Sequence, residues 1–216
     1  MNSFVIGDFV ALRLSNQILK IETKQMMEHL KKHISKFVTF TETEFEEIFT
    51  YFKFIKVDKK QNLSLQGNFC PANYFVMTGC LRLFFLNEKG VEQTVQFALE
   101  NWWLSDYASF SYQKIAEFSI QTVEESEIAV LDHAKQEELL QRFPAMEKYF
   151  RMVHQKAHAA YQFRIKLLYS NSREELYRSF ISSFPGFVQR IPQYLLASYL
   201  GFTPEYLSEL RRKIVS

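Results

Sequence analysis

Between Met26 and Phe54 the apolar side chains recur at three- and four-residue steps: Met27, Leu30, Ile34 and Phe37, then Phe45, Ile48, Phe49 and Phe52. That period places them on one face of two successive amphipathic helices. Thr41-Glu42-Thr43-Glu44 lies between the two and supplies polar caps with acidic first-turn residues. The period then changes. Residues 52–131 hold short runs rich in Phe, Val, Tyr and Leu, cut by Gln66-Gly67-Asn68, Thr78-Gly79 and Asn87-Glu88-Lys89-Gly90, and read as antiparallel β-structure. Leu81 to Leu86 and Val91 to Phe97 form the clearest hairpin, with Gly90 placed for a turn. A last strand is expected from Phe118 to Thr122, continuing through Glu127 to Leu131.

From Asp132 the helical period returns. After Phe143-Pro144, the residues Met146, Phe150, Val153, Ala157, Ala160, Arg164 and Leu167 fall at alternating four and three steps, the repeat of a seam against another helix. A helix of about 25 residues spans roughly 37 Å, more than a compact body of this size needs to cover itself, so the seam is expected to be a dimer interface. Asn171-Ser172-Arg173 ends it. A final module follows, with helices expected at 173–184, from about Gln193 to Leu200 and from Pro204 to Val215, and with turns at Pro185-Gly186 and Gly201-Phe202-Thr203.

The stretch from Ile191 to Lys213 has the spacing of a helix-turn-helix. Ala197 is small where the helices cross, Gly201 can take the left-handed conformation that ends the first helix, and Leu196, Leu200, Leu207 and Leu210 make the shared apolar face. Thr203 as N-cap and Pro204 at the first helical position start the second helix. Thr203, Glu205, Tyr206, Ser208, Glu209, Arg211, Arg212 and Lys213 then remain for DNA, with the basic triplet suited to phosphates. Charge supports this division. The net charge is −5 over residues 1–138 and +7 over residues 139–216, a basic terminal module on an acidic body, as attraction to a polyanion requires.

Composition excludes other classes. Hydrophobic residues make up 47% and charged residues 23% of the 216, enough for a packed core. Cys70 and Cys80 are too few for a disulfide framework or an iron–sulfur cluster, which makes a reducing, cytoplasmic setting the expectation. Asp8 interrupts the longest N-terminal apolar stretch, Phe4 to Leu14, so neither a membrane helix nor a signal peptide is expected. Residues 1–25 do not join the helical pattern that begins at Met26 and read as an extension of doubtful status. The pairs His29/His33 and His154/His158 stand one helical turn apart, but without a third ligand they read as surface histidines. No Gly-rich phosphate loop is present, residues 52–131 contain no histidine, and Glu46/Glu47, Glu124/Glu125 and Glu137/Glu138 read as solvated faces, so no enzyme and no cofactor is expected.

Tyr74-Phe75-Val76-Met77-Thr78-Gly79-Cys80-Leu81-Arg82-Leu83-Phe84 resembles the β-roll signature of the Crp/Fnr family of bacterial transcription regulators, and Leu196 to Gly201 with Pro204 to Ser208 resembles its DNA-binding helices, as in Bacteroidetes members. The resemblance covers about residues 26–216. It implies an α+β protein: an N-terminal antiparallel β-roll sensor of the cyclic-nucleotide-binding type with flanking helices (26–143), a long dimerisation helix (144–170) and a C-terminal helix-turn-helix (171–216). Implied partners are double-stranded DNA, a second copy of the chain, RNA polymerase and a small-molecule effector. Cyclic-nucleotide binders of the family use a Gly-Glu pair and a later Arg-Ser or Arg-Thr pair, which fall by register on Ser105-Asp106 and Ala116-Glu117. Without that arginine no fixed cation faces a cyclic phosphate, and cyclic AMP is not the expected effector. Trp102, Trp103, Ser105 and Asp106 are the expected effector pocket. Glu209 stands where many members carry a guanine-reading arginine, and the wing that usually follows looks short or missing, so the rival reading is a β-roll ligand-binding or protein-interaction module whose helix-turn-helix no longer binds DNA.

Overall fold

The computed structural model describes residues 21–215. The stretch Phe4 to Leu14, weighed above as a membrane or signal segment, lies outside them. Helix α1 occupies residues 21–34, so the expected break at Met26 is not there: residues 21–25 belong to the same helix. Met26, Leu30 and Ile34 are buried along it. Helix α2 (Glu42–Phe49) opens on a full capping box, in which the Thr41 side chain accepts from Glu44 N and the Glu44 carboxylate takes the Thr41 N–H.

Eight strands follow: β1 (Lys53–Val57), β2 (Asn62–Ser64), β3 (Ala72–Thr78), β4 (Leu81–Leu86), β5 (Glu92–Ala98), β6 (Trp103–Leu104), β7 (Ser119–Thr122) and β8 (Ser126–Asp132), with the short helix α3 (Tyr107–Tyr112) before β7. They form two antiparallel four-stranded sheets, ordered β1-β8-β3-β6 and β2-β7-β4-β5. Tyr74, Val76, Leu81, Leu83, Ile120, Ile128 and Val130 meet between the sheets. Alternate residues of the same strands, Phe75, Met77, Ala129 and Leu131, face outward onto α1, α2 and the helices α4 (His133–Arg142) and α5 (Ala145–Ser170). The first sheet is therefore covered on both sides, which is why β3 and β8 read as nearly continuous apolar runs.

The single strand expected from Phe118 to Leu131 is instead two strands in different sheets. The chain crosses between sheets at Val123-Glu124-Glu125, where Val123 N donates to Cys80 O at 2.8 Å and Cys80 N donates to Ser126 Oγ at 3.2 Å. Thr78-Gly79-Cys80 crosses in the opposite direction at the same corner. Gly79 has φ +95°, and a Cβ there would lie 2.6 Å from Glu125 O and 2.3 Å from Ser126 Oγ. Only glycine lets the two crossings stack.

The C-terminal module holds α6 (Arg173–Ser183), α7 (Pro185–Arg190), α8 (Gln193–Leu200) and α9 (Pro204–Val215). Pro185-Gly186, expected as a turn, begins α7, because proline's fixed φ suits the first helical position. The module folds back onto the roll. Leu176, Leu195, Leu196, Leu200, Leu207 and Leu210 form a third core joined by Cys80, Phe97, Leu99 and Val123 of the roll.

Candidate functional site

Helices α8 and α9 are joined as their local chemistry dictates. Gly201 ends α8 in the left-handed conformation at φ +75°, and Phe202 N donates to Ala197 O at 2.8 Å. Thr203 Oγ1 accepts from Tyr206 N at 3.2 Å and Pro204 occupies the first turn of α9. Leu196, Ala197, Leu200, Leu207 and Leu210 are buried between and beneath the helices. The opposite face of α9 is turned to solvent: Thr203, Glu205, Ser208, Glu209, Arg211, Arg212 and Lys213 are all exposed. Tyr206 is half-buried, its ring edge-on to Phe202 and under the Arg173 guanidinium at 5.4 Å.

The roll grips α8 and leaves α9 uncovered. Ser198 Oγ accepts from Thr94 N at 2.8 Å and donates to Glu92 O at 3.1 Å, fixing α8 along β5. Arg190, at the end of α7, reaches the sheet-crossing corner. It donates to both Glu100 carboxylate oxygens at 2.8 and 3.1 Å, to Glu124, and to Gly79 O at 3.1 Å. Burial is the largest influence on Glu100 and opposes its ionisation, but the Arg190 hydrogen bonds, the backbone N–H groups of Glu100 and Gly79 and the Arg190 charge together hold the carboxyl below its ordinary value. The same two carboxylates push the Arg190 pKa up.

The four residues expected as an effector pocket separate into different roles. Trp103 is in the core, donating from Nε1 to the Tyr149 hydroxyl at 2.8 Å. Ser105 is buried and donates to Ala72 O at 3.0 Å. Asp106 is buried and acts as a structural clamp: one carboxylate oxygen caps α3 by accepting from Ser109 N at 3.1 Å, and the other accepts from Glu117 N and Phe118 N at 2.9 and 3.2 Å. Ala116, at the register position of the missing arginine, is buried in the inner core. The chain's own carboxylate thus satisfies these N–H groups. Trp102 alone opens onto a sizeable cavity, about 200 Å³ in volume, between β5, α5 and the C-terminal module. Lys156 Nζ lies 5.3 Å over its ring. Of the residues expected as the pocket only Trp102 lines this cavity; its other walls come from β5, α5 and the C-terminal module, brought together by the tertiary fold.

The residues expected as a dimer seam are largely occupied within the chain. Met146 and Phe150 are buried against the roll, Val153 packs beside them, Arg164 donates to Tyr199 O at 2.8 Å, and Leu167 packs on the C-terminal core. Ala157 is half-buried and Ala160 exposed at the cavity. The outward side of α5 carries Met152, Phe163, Ile165 and Tyr169, from 37% to 89% exposed. Two histidine expectations also change. His33 is a core residue, bonded through Nδ1 to the Tyr149 hydroxyl at 2.9 Å, and His154 stacks on Phe150 and meets Tyr107 edge-on. Among the described residues no three His, Cys, Asp or Glu side chains are grouped to hold a metal.

Residues 54–143 match the family model for the cyclic nucleotide-binding domain. A search of curated proteins finds no match. Among solved structures the chain is similar to a transcriptional regulator assigned to the Crp/Fnr family from Eubacterium rectale, at 16% identity over 81% of this chain and 83% of that one, with a TM-score of 0.66. It is similar to FixK2 of Bradyrhizobium japonicum, at 12% identity over 76% and 84%, with a TM-score of 0.63. It is also similar to the c-di-GMP-responsive regulator CLP of Xanthomonas campestris, at 14% identity over 81% and 91%, with a TM-score of 0.62.

Proposed function

Because the chain contains a cyclic nucleotide-binding domain and has the fold of the Crp/Fnr transcription regulators, we propose that it is itself a DNA-binding transcription regulator and not an enzyme. The observation that carries this reading is α9: its apolar face is buried, while Ser208, Glu209, Arg211, Arg212 and Lys213 stand outward with no part of the roll over them. A helix so presented fits the major groove, with the basic end on phosphates and Ser208 and Glu209 toward base edges, where a glutamate accepts from cytosine N4.

The regulator acts as a homodimer on a near-palindromic operator whose half-sites lie about one helical turn, ~34 Å, apart. The twin packs on the outward side of α5, around Met152 and Phe163, because Met146 and Phe150 are already committed to the core. Its effector is not cyclic AMP: Asp106 occupies the N–H groups of the cassette, and Ala116 supplies no cation. Among the described residues no helix is long and apolar enough to cross a membrane.

Selection of bound duplexes from a random library tests the proposal. Enriched inverted repeats, bound with an affinity that falls steeply as salt rises, are the expected result. Absence of enrichment would favour the second reading, a roll with an interaction role, for which the outward carboxylates of Glu205 and Glu209 speak because they repel phosphate.

A further inference from the structure

The cavity between the roll and the C-terminal module belongs neither to the recognition helix nor to the cassette. Four aromatic rings from four elements close into a ring on its floor: Phe97 of β5 touches Phe187 of α7 and Tyr199 of α8, each at 5.1 Å, and Phe180 of α6 touches the same two at 5.6 and 5.9 Å. Trp102 forms one side, and Ala157 and Ala160 leave space where larger residues of α5 would fill it. The one charged residue in the lining is Arg164. Its guanidinium lies 4.2 Å over the Tyr199 ring and donates to Tyr199 O, its hydrogen bond among the described residues. A guanidinium has five N–H donors in a planar fork, so further donors remain for a ligand.

Two polar residues in the lining, Gln96 and Tyr161, are engaged with each other, the Tyr161 hydroxyl donating to Gln96 Oε1, so largely apolar walls with one guanidinium select a ligand with a flat apolar body and an anionic end. An apolar cavity of about 150 Å³ already accommodates benzene. At about 200 Å³ this one takes one substituted ring or two fused rings. We propose that the cavity is a binding site for a small aromatic carboxylate, its rings on the Phe97–Phe180–Phe187–Tyr199 floor and its carboxylate on Arg164. The walls come from both the roll and the C-terminal module, so the ligand binds only when the two are docked and stabilises that arrangement. Its role as the effector rests on the DNA-binding reading: operator affinity then changes by the same factor by which operator changes ligand affinity.

Calorimetric titration of the full chain with 2-naphthoate, and with the uncharged 2-naphthalenemethanol, tests the site without DNA present. The expected result is saturable binding of one 2-naphthoate per chain. Arg164→Gln should weaken it about tenfold or more, as loss of a charge-assisted pair does, with little change for the alcohol. Ala160→Trp, at the exposed rim, should block both. No saturable binding to the wild-type chain, or equal binding by all three proteins, overturns the proposal, and so does a dimer in sedimentation that takes up no probe. If 2-naphthoate binds through Arg164 while no duplex is bound, the site stands and only its regulatory role falls. If duplexes are bound and 2-naphthoate is not, the DNA-binding reading stands and the site falls.

Discussion

The Tyr149 oxygen joins two buried side chains, accepting from Trp103 Nε1 at 2.8 Å and meeting His33 Nδ1 at 2.9 Å. Indole nitrogen only donates, so the phenol oxygen accepts from Trp103, while its bond with His33 has either Nδ1 or the hydroxyl as donor. Burial first, and then the charges of Lys36, Lys156 and His29, lower the His33 pKa to about 4. The unfolded chain, with an ordinary imidazole near 6.5, takes up the second imidazole proton more readily than the folded one, so stability falls as pH drops from about 6.5 toward 4. Urea unfolding at pH 7, 5.5 and 4.5 should show this decline, and His33→Gln should flatten it. Gly79 provides a second residue-scale test. Gly79→Ala meets both a left-handed φ and the Glu125 backbone, and should cost more than about 2 kcal/mol. Gly201 has the same handedness with nothing within 4 Å of its missing Cβ, so Gly201→Ala should cost only about 1 kcal/mol. Thermal unfolding of the two variants compares them directly.

At the scale of elements, α9 and α5 carry the predictions. Arg211→Ala and Lys213→Ala should weaken binding to all duplexes and lower the salt slope by about 1 each, whereas Ser208→Ala and Glu209→Ala should change which duplexes are selected, by about 1–3 kcal/mol at single positions. Fluorescence anisotropy across a salt series separates the two classes, and identical behaviour of all four variants would remove the division. For α5, the four-three repeat was legible but its orientation was not. Period tells which residues share a stripe and not what covers the stripe, and here the first half of the stripe is covered by Phe75, Trp103 and their neighbours. Phe163→Asp, on the outward side, should shift the protein to monomer in sedimentation and reduce operator affinity by at least about tenfold, leaving the thermal unfolding of the roll unchanged.

For the whole molecule, the connection between its two halves matters most. Arg190 ties α7 to the corner where both inter-sheet crossings meet, through Glu100, Glu124 and Gly79 O, while Ser198 ties α8 to β5. Removing the arginine leaves two neighbouring carboxylates without their cation. Arg190→Ala should loosen the docking by about 1–2 kcal/mol, raising amide exchange over residues 171–215 while the roll stays protected. Uniform exchange in wild type and variant would deny the contact its coupling role. This arrangement leaves α9 open to solvent and places the aromatic cavity at the joint between the roll and the C-terminal module.

Much of this was determined locally. The capping box at Thr41, the hairpin from Leu81 to Phe97, and the Gly201-Phe202-Thr203-Pro204 junction rest on steric and hydrogen-bond rules that act within a few residues, so composition and spacing were enough to find them. The separation of β7 from β8, the burial of His33, the duty of Asp106 as a clamp and the inward turn of the α5 stripe all depend on partners from 11 to more than 100 residues away. An apolar periodic pattern states that a face will be buried; only packing of the whole chain decides against what, because the hydrophobic effect has no direction of its own.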